Sequence, residues 1–266
     1  MPSGDADKPK KQWQRWGLAI VAVLGAFGIF SAIGGNIVDE VFPGVSEELT
    51  GAGLVRVSVR PIDASDGFTM ATRSREEIAS RVGAVDDCSS LYEAASEAEA
   101  VEVGRSTRSL VFEGTTHRDV TIVDLRAEVV RRSAPMAGAQ IKCSSAEGVA
   151  ALGFSFDFDQ PQPIAIRIGE GPEDEVPYFQ NGNVIVLKKG EVQPVLIVSS
   201  VSRDYVAWNL AADLIIDGEE ESVTIDDDGH PFELTGGDGD LRYEGYYEWQ
   251  WFEAPARLRV ASKPLG

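Results

Sequence analysis

The sequence predicts a mainly β protein, in which an antiparallel β-sandwich follows one membrane-spanning helix. An uncharged run stands near the amino terminus, and about a dozen short strand-like segments, separated by turn residues, fill the chain beyond residue 104. A patch rich in Ala, Glu and Ser, residues 74–104, is the one other stretch with helical composition. Closely spaced strands favour sheets packed face to face over alternating βαβ units.

The uncharged run covers residues 17–38, which are 22 residues without a charge. At about 1.5 Å per residue a helix of this length reaches roughly 33 Å, enough to cross the hydrocarbon core of a bilayer. Basic residues precede the run and acidic residues follow it, and basic flanks tend to stay in the cytoplasm. We therefore expect a cytoplasmic tail over residues 1–16, a transmembrane helix over 17–38, a cell-membrane location and an extracellular carboxy terminus.

The same run has a second interpretation, as a cleaved secretory signal. Residues 18–30 would form its apolar segment, and Ala32-Ile33-Gly34 supplies small residues for cleavage. The run continues without charge to Val38, further than a signal needs, which favours the anchor. Both interpretations export the rest of the chain.

The exported part, residues 39–266, carries a net charge near −21. Such a charge repels nucleic acid and excludes it as an expected partner. Residues 39–53 read as an acidic stalk, and residues 54–104 as a mixed segment that opens with the alternating strand pattern LVRVSVRP. We expect short helices in the later part of this segment, broken around Gly83.

Residues 105–266 are expected to form the sandwich itself. The segment DLIIDGEEESVTIDDDGHPFE reads as strands joined by tight turns at Asp217-Gly218 and Asp228-Gly229, because glycine accepts positive φ and aspartate bonds to its own backbone. In FSFDF, the phenylalanines should point inward and Asp157 outward. Trp208, in the middle of a strand, is expected in the core of an immunoglobulin-like or related β-sandwich.

The order of an uncharged membrane segment, an acidic exported domain, YVAWNLAADLIIDG and then ESVTIDDDGHPFELTG resembles uncharacterised single-pass membrane proteins of actinomycete bacteria. The resemblance covers about the last two thirds of the chain. It implies a location and a fold, and no activity comes with it.

The exported part has two cysteines, Cys88 and Cys143, and the predicted tail has none. An even number in an oxidising location predicts one disulfide, which would join the helical patch to the β core. Two separate buried thiols are the alternative.

Catalytic and metal motifs are missing from the sequence. Neither cysteine has the surroundings of a cysteine nucleophile, and Gly153-Phe154-Ser155-Phe156-Asp157 is not a G-x-S-x-G elbow. No cofactor is expected. Asp226, Asp228, Asp238 and Asp240 are the first candidates for calcium, but the loop lacks the initial carboxylate and the final glutamate of a calcium loop, so we expect no specific site.

Tyr247, Trp249 and Trp251 fall on one face of a strand and form a candidate aromatic surface for an extracellular protein or a polysaccharide. The alternative, which the pattern favours, is that they are core. Two function classes follow: a membrane-tethered, non-catalytic β domain for interaction or structure at the bacterial cell surface, or an exported hydrolase of cell-wall polymer with carboxylates converging in a cleft.

Overall fold

A computed structural model of the chain describes residues 46–50, 55–61, 67–82, 85–143, 152–169, 176–237, 241–250 and 257–261. All of them belong to one compact unit, Val45–Gly266. This unit is mainly β, as the strand and turn pattern predicts. The elements in chain order are β1 Ser46–Thr50, β2 Val55–Pro61, β3 Phe68–Ala71, α1 Arg75–Ala79, α2 Cys88–Glu97, β4 Val101–Glu102, β5 Arg105–Gly114, β6 Val120–Ser133, β7 Ala139–Cys143, β8 Gly153–Asp157, β9 Ile166–Ile168, a 3₁₀ turn Phe179–Asn181, β10 Ile185–Leu187, β11 Val192–Ser200, β12 Tyr205–Ile216, β13 Glu219–Ile225, β14 Phe232–Thr235, β15 Gly245–Gln250 and β16 Arg257–Ala261.

Two of the sheets share one apolar core. The first has the strand order β1-β2-β5-β11-β8-β9, and the second has the order β10-β6-β12-β13, with β14 also paired to β12. Alternate residues of both sheets meet in one apolar core. Trp208 lies in this core against Phe156, Phe158 and Phe232, with ring centroids 5.0 to 6.1 Å apart. The core position predicted for Trp208 and the two phenylalanines is confirmed, and Asp157 is exposed.

A third sheet, with the order β16-β15-β7-β3-β4, carries the two helices. One apolar cluster joins α1 and α2 to this sheet through Ile78, Leu91 and Ile141, each fully buried. Asp87 caps the start of helix α2: its side chain accepts a hydrogen bond from the Ser90 N–H at 2.7 Å and so satisfies a free amide of the first turn. The two short helices confirm the prediction for residues 74–104.

The third sheet also packs against the start of β12. Tyr205 and Ala207 join Ala71 and Met136 in a separate cluster, which explains why β12 is buried on both faces there. The backbone closes the same junction, because the Gly104 N–H donates to the Thr235 carbonyl at 2.7 Å. Strands β4 and β14 therefore lie side by side, although they belong to different sheets.

Two turns have the predicted chemistry. Asp217 and Gly218 have φ of 54° and 86°, and Asp228 and Gly229 have φ of 56° and 82°. Both pairs occupy the left-handed conformation that two-residue hairpins need. The β12–β13 and β13–β14 connections were therefore predictable from short motifs.

Three observations correct or limit the sequence-based picture. β1 lies within the segment expected to be a stalk, residues 39–53, and pairs with β2 from Ser46↔Val59 to Thr50↔Val55. Among the strands that the structure describes, two pairings are parallel, β8 with β11 and β7 with β15, in sheets expected to be antiparallel. Strand pairing also crosses the boundary drawn at residue 104, since β2 pairs with β5 and β3 with β7.

Residues 17–38 lie outside the described residues, so the transmembrane helix stays a prediction. Within the part of the chain that the structure does describe, no helix is long and apolar enough to cross a bilayer.

Candidate functional site: a polar cleft beside helix α2

The predicted disulfide is present and joins Cys88, the first residue of α2, to Cys143, the last residue of β7. The two Cα atoms are 6.0 Å apart, and both residues are 2% exposed. The bridge therefore fastens the helix to the third sheet from inside the core, and the alternative of two separate thiols is wrong.

The two described residues of the candidate aromatic surface are buried. Tyr247 and Trp249 are 3% and 6% exposed and belong to the cluster under the helices, because alternate residues of β15 face α2. These two rings are not available to a ligand. Trp251 lies outside the described residues.

The acidic turn is organised by its own hydrogen bonds. The Gly229 N–H donates to Asp226 Oδ1 at 2.7 Å, and Asp227 and His230 exchange backbone hydrogen bonds at 2.8 and 3.2 Å. Among the described residues no group of three or more His, Cys, Asp or Glu side chains is placed to hold a metal ion. Asp238 and Asp240 lie outside those residues, so the calcium prediction stays a prediction.

A cleft of about 420 Å³, here called the polar cleft, opens where the third sheet meets the β13–β14 turn. One wall comes from α2 and β4, the other from the β13–β14 turn and β14, with contributions from β3, β5 and Arg73. It is lined by Met70, Arg73, Tyr92, Ser96, Glu99, Ala100, Val101, Glu102, Arg108, Asp227, His230, Pro231 and Glu233.

The carboxylate of Glu102 is held from two sides. Arg108 Nη1 and Ser106 Oγ each lie 2.5 Å from its Oε2 atom. The Glu102 and Arg108 side chains are only 19% and 15% exposed, so this ion pair is partly withdrawn from water. A carboxylate with two such partners is fixed in position.

The carboxylate of Glu233 is held in a similar way. The Tyr205 hydroxyl donates to Glu233 Oε1, Arg131 Nη2 donates to the Tyr205 oxygen at 2.6 Å, and Arg131 Nη2 lies 3.7 Å from Glu233 Oε1. The guanidinium groups of Arg73 and Arg131 lie 5.4 and 4.9 Å from the centre of the Tyr205 ring. Burial, followed by the hydrogen bond to Glu233, raises the pKa of Tyr205.

Tyr92 brings an aromatic group to the α2 wall. Its ring packs edge-on against Phe68, with centroids 5.3 Å apart. Burial raises the pKa of its hydroxyl; Arg108 opposes this effect, while the negative charges of Glu102 and Asp227 add to it. The phenol therefore lies within electrostatic reach of both walls.

Two acidic side chains of the polar cleft differ from Glu102 and Glu233. Glu99 and Asp227 are exposed, and the described residues give neither of them an ion-pair partner. The lining contains four carboxylates and two guanidinium groups, so its formal charge is −2 with His230 neutral. The cleft thus combines two fixed carboxylates, two unpaired ones and one aromatic ring.

A second groove, of about 360 Å³, runs along β6 and is lined by residues 124–129, 161–165, Phe179 and Gln180. Its rim exposes apolar groups, since Val129 and Ile164 are each 39% exposed. However, β6 has an extra residue, Val130, opposite β12, and the charged Arg131 and Arg132 follow it. Beyond its short pairing with β10, β6 thus carries a bulge and charges, which discourage pairing with another chain, so this groove is the weaker candidate.

Sequence reasoning placed the disulfide correctly and missed the polar cleft. It did single out the DDDG turn, but as a cation loop and not as one wall of a cleft. No short motif marks Tyr92, Glu99 or Glu102, because they come together with Glu233 only when β4 lies beside β14. Comparison with protein-family models finds no match to this chain, and comparison with curated proteins finds no significant match.

Proposed function

We propose that the chain is a membrane-tethered, exported β module that acts by binding a ligand at the bacterial cell surface, without catalysis of its own. The observation that carries the proposal is the polar cleft, in which charged and aromatic side chains from separate elements of the fold converge. Concave sites with a few well-placed polar groups are the usual form of ligand sites.

The state of Glu102 and Glu233 favours a binding role over a hydrolytic one for these two carboxylates. A glycosidase needs one acid free to give up a proton and a second at a set separation. In the polar cleft Glu102 lies against Arg108 and Ser106, and Glu233 against Tyr205 and Arg131. Groups held this way are preorganised hydrogen-bond acceptors, which suits recognition.

The proposed export and the proposed tether are supported by two other observations. The Cys88–Cys143 bridge fits an oxidising compartment, where disulfides persist. Residues 17–38 and their flanking charges supply the tether and its orientation. For the sandwich we retain the immunoglobulin-like or related class as part of the proposal, on the strength of two facing sheets around a buried Trp208.

Site-specific photo-crosslinking in intact cells tests the binding function. A benzoylphenylalanine at Ser96, an exposed residue of the cleft, should give a crosslinked species of discrete mass. The same residue at Glu220, exposed on β13 and outside the cleft, is the matched control and should give none. No species from Ser96, or equal species from both positions, would refute a ligand in the cleft.

Protease treatment of intact cells tests the topology. Before treatment the protein should be found in the membrane fraction. Protease added to intact cells should then degrade the β module. Release of the untreated chain into the medium would refute the tether and support the cleaved signal.

A further inference from the structure

We infer that Asn181, which precedes Gly182 at the end of the 3₁₀ turn before β10, is a site of spontaneous deamidation. The modification converts this asparagine to aspartate and isoaspartate, and it needs only water. It is independent of the proposed binding function. Both residues are exposed, and they form the only Asn-Gly pair of the sequence.

The reaction takes place between neighbouring groups of the same chain. The backbone nitrogen of Gly182 loses its proton and attacks Cγ of Asn181, so a C–N bond forms and the side-chain amide leaves as ammonia. The product is a cyclic succinimide. Water then opens the ring at either carbonyl carbon, which gives aspartate or, when the chain continues through the former side chain, isoaspartate.

Gly182 leaves the attacking nitrogen unobstructed. Its φ is 78°, and no heavy atom lies within 4 Å of the position that a Cβ atom would take. Glycine has no side chain beside its nitrogen, so the approach of the Asn181 side chain meets no steric hindrance there. The described residues form no hydrogen bond with that side chain, so its amide is free to turn toward the nitrogen.

Asn183 is equally exposed but has different surroundings. Its Nδ2 atom donates to the Tyr178 carbonyl at 3.0 Å, which fixes the amide in place. Val184 follows it, and a β-branched side chain crowds the nitrogen that would have to attack. Asn183 is therefore an internal control for the reaction at Asn181.

One hydrogen bond slows the reaction in the folded chain. The Gly182 N–H donates to the Phe179 carbonyl at 2.8 Å and closes the 3₁₀ turn. This bond must open before the nitrogen can attack, and a single 3₁₀ turn opens readily because its hydrogen-bond geometry is poor. The energy of one such bond predicts a rate roughly twofold to tenfold below that of the unfolded chain.

The modification changes the turn that borders the second groove. A carboxylate replaces a neutral amide next to Gln180, which lines that groove, and isoaspartate lengthens the backbone between Asn181 and Gly182 by one methylene. The ring of Phe179, in the same turn, packs in the core with its centroid 5.3 Å from that of Phe154. The modified chain should therefore differ in local packing as well as in charge.

Peptide mapping by mass spectrometry of the full-length chain in mild detergent measures the reaction. The chain is incubated at neutral and at alkaline pH, with and without guanidinium chloride, and the peptide that contains both Asn181 and Asn183 is followed over time. The Asn181→Asp variant supplies the standard for the aspartate product. The Asn181→Gln variant keeps the amide on a longer side chain, which closes the corresponding ring far more slowly, and is the matched control.

The wild-type peptide should gain the mass difference between an amide and a carboxylic acid at Asn181. It should appear as two products, one of which elutes with the Asn181→Asp standard. The rate should rise with pH, because the attacking nitrogen must lose its proton, and should be roughly twofold to tenfold higher in guanidinium chloride. Fragment masses should show Asn183 unchanged, and Asn181→Gln should give no product over the same time.

Three results would overturn the inference. The first is no mass change at Asn181 in the folded chain, which would show that the turn blocks the attack. The second is equal conversion of Asn183, which would remove any role of Gly182. The third is a single product that elutes with the Asn181→Asp standard, because direct hydrolysis gives no isoaspartate.

Discussion

The Cys88–Cys143 bridge should contribute a large share of the stability of the β module. The perturbation is the double variant Cys88→Ala/Cys143→Ala, compared with the oxidised and the reduced wild-type chain. The bridge joins residues 55 positions apart, from the start of α2 to the end of β7. Without it, this stretch of the unfolded chain gains conformational freedom.

The size of the effect follows from loop closure. For a loop of this length, the chain-entropy model gives a loss of about 4 kcal/mol in the free energy of unfolding at 25 °C. At about 2 to 4 °C per kcal/mol for a chain of this size, the melting temperature should fall by roughly 8 to 16 °C. The slope of the unfolding free energy against urea should rise, because the unfolded chain exposes more surface without the bridge.

Urea unfolding of the full-length chain in mild detergent, followed by tryptophan fluorescence, measures all three samples. The reduced wild type keeps both sulfur atoms, so it separates the cross-link from the packing of the side chains. Reduced wild type and double variant should lose nearly equal stability. A loss below about 1 kcal/mol in both would refute the loop-closure reasoning, and a loss in the double variant alone would assign the effect to packing.

The other predictions concern single positions of the fold. Trp208→Ala should cost about 3 to 5 kcal/mol of unfolding free energy, measured by circular dichroism, because it empties the centre of the aromatic cluster; a cost below 1 kcal/mol would contradict that placement. Gly218→Ala should lower the unfolding free energy in urea by about 1 kcal/mol, because φ is 86° at this position, and Gly218→Asn should lower it less. Equal losses in the two variants would speak against a strained turn. Burial raises the pKa of Tyr243 to about 12. The neutral phenol therefore contributes roughly 1 to 2 kcal/mol to the unfolding free energy, after an allowance for solvent screening. This contribution is complete below pH 10 and is lost as the pH rises to 12. Tyr243→Phe should therefore flatten the fall in unfolding free energy between pH 10 and 12, and an unchanged slope would count against a buried phenol.

Much of the local structure could be read from the sequence. The alternation in FSFDF placed Phe156 and Phe158 in the core, and the Asp217-Gly218 pair predicted a hairpin turn that the backbone angles confirm. These features depend on neighbouring residues: side chains alternate along any strand, and left-handed turns need residues that tolerate positive φ. Information of this kind is contained in a few consecutive positions.

Pairing between distant strands was not accessible in the same way. Nothing near Phe68–Ala71 shows that this strand pairs with β7, and nothing near Tyr247 shows that a helix covers it. The aromatic pattern of β15 is compatible with a ligand surface and with a core. The choice depends on which element packs against that face, and here α2 does.

The sequence by itself determined the mainly β character, the two short helices, the tight turns and the pairing of the only two cysteines. The tertiary structure alone decided that a third sheet packs against β12 and that β4 lies beside β14, which brings Tyr92, Glu102, Asp227 and Glu233 to one cleft. The physical reason is the distance along the chain over which each feature is set. The alternation of side chains in a strand and the conformation of a turn depend on neighbouring residues, and two cysteines leave one possible pairing. A cleft depends on the sum of packing contacts between segments more than a hundred residues apart.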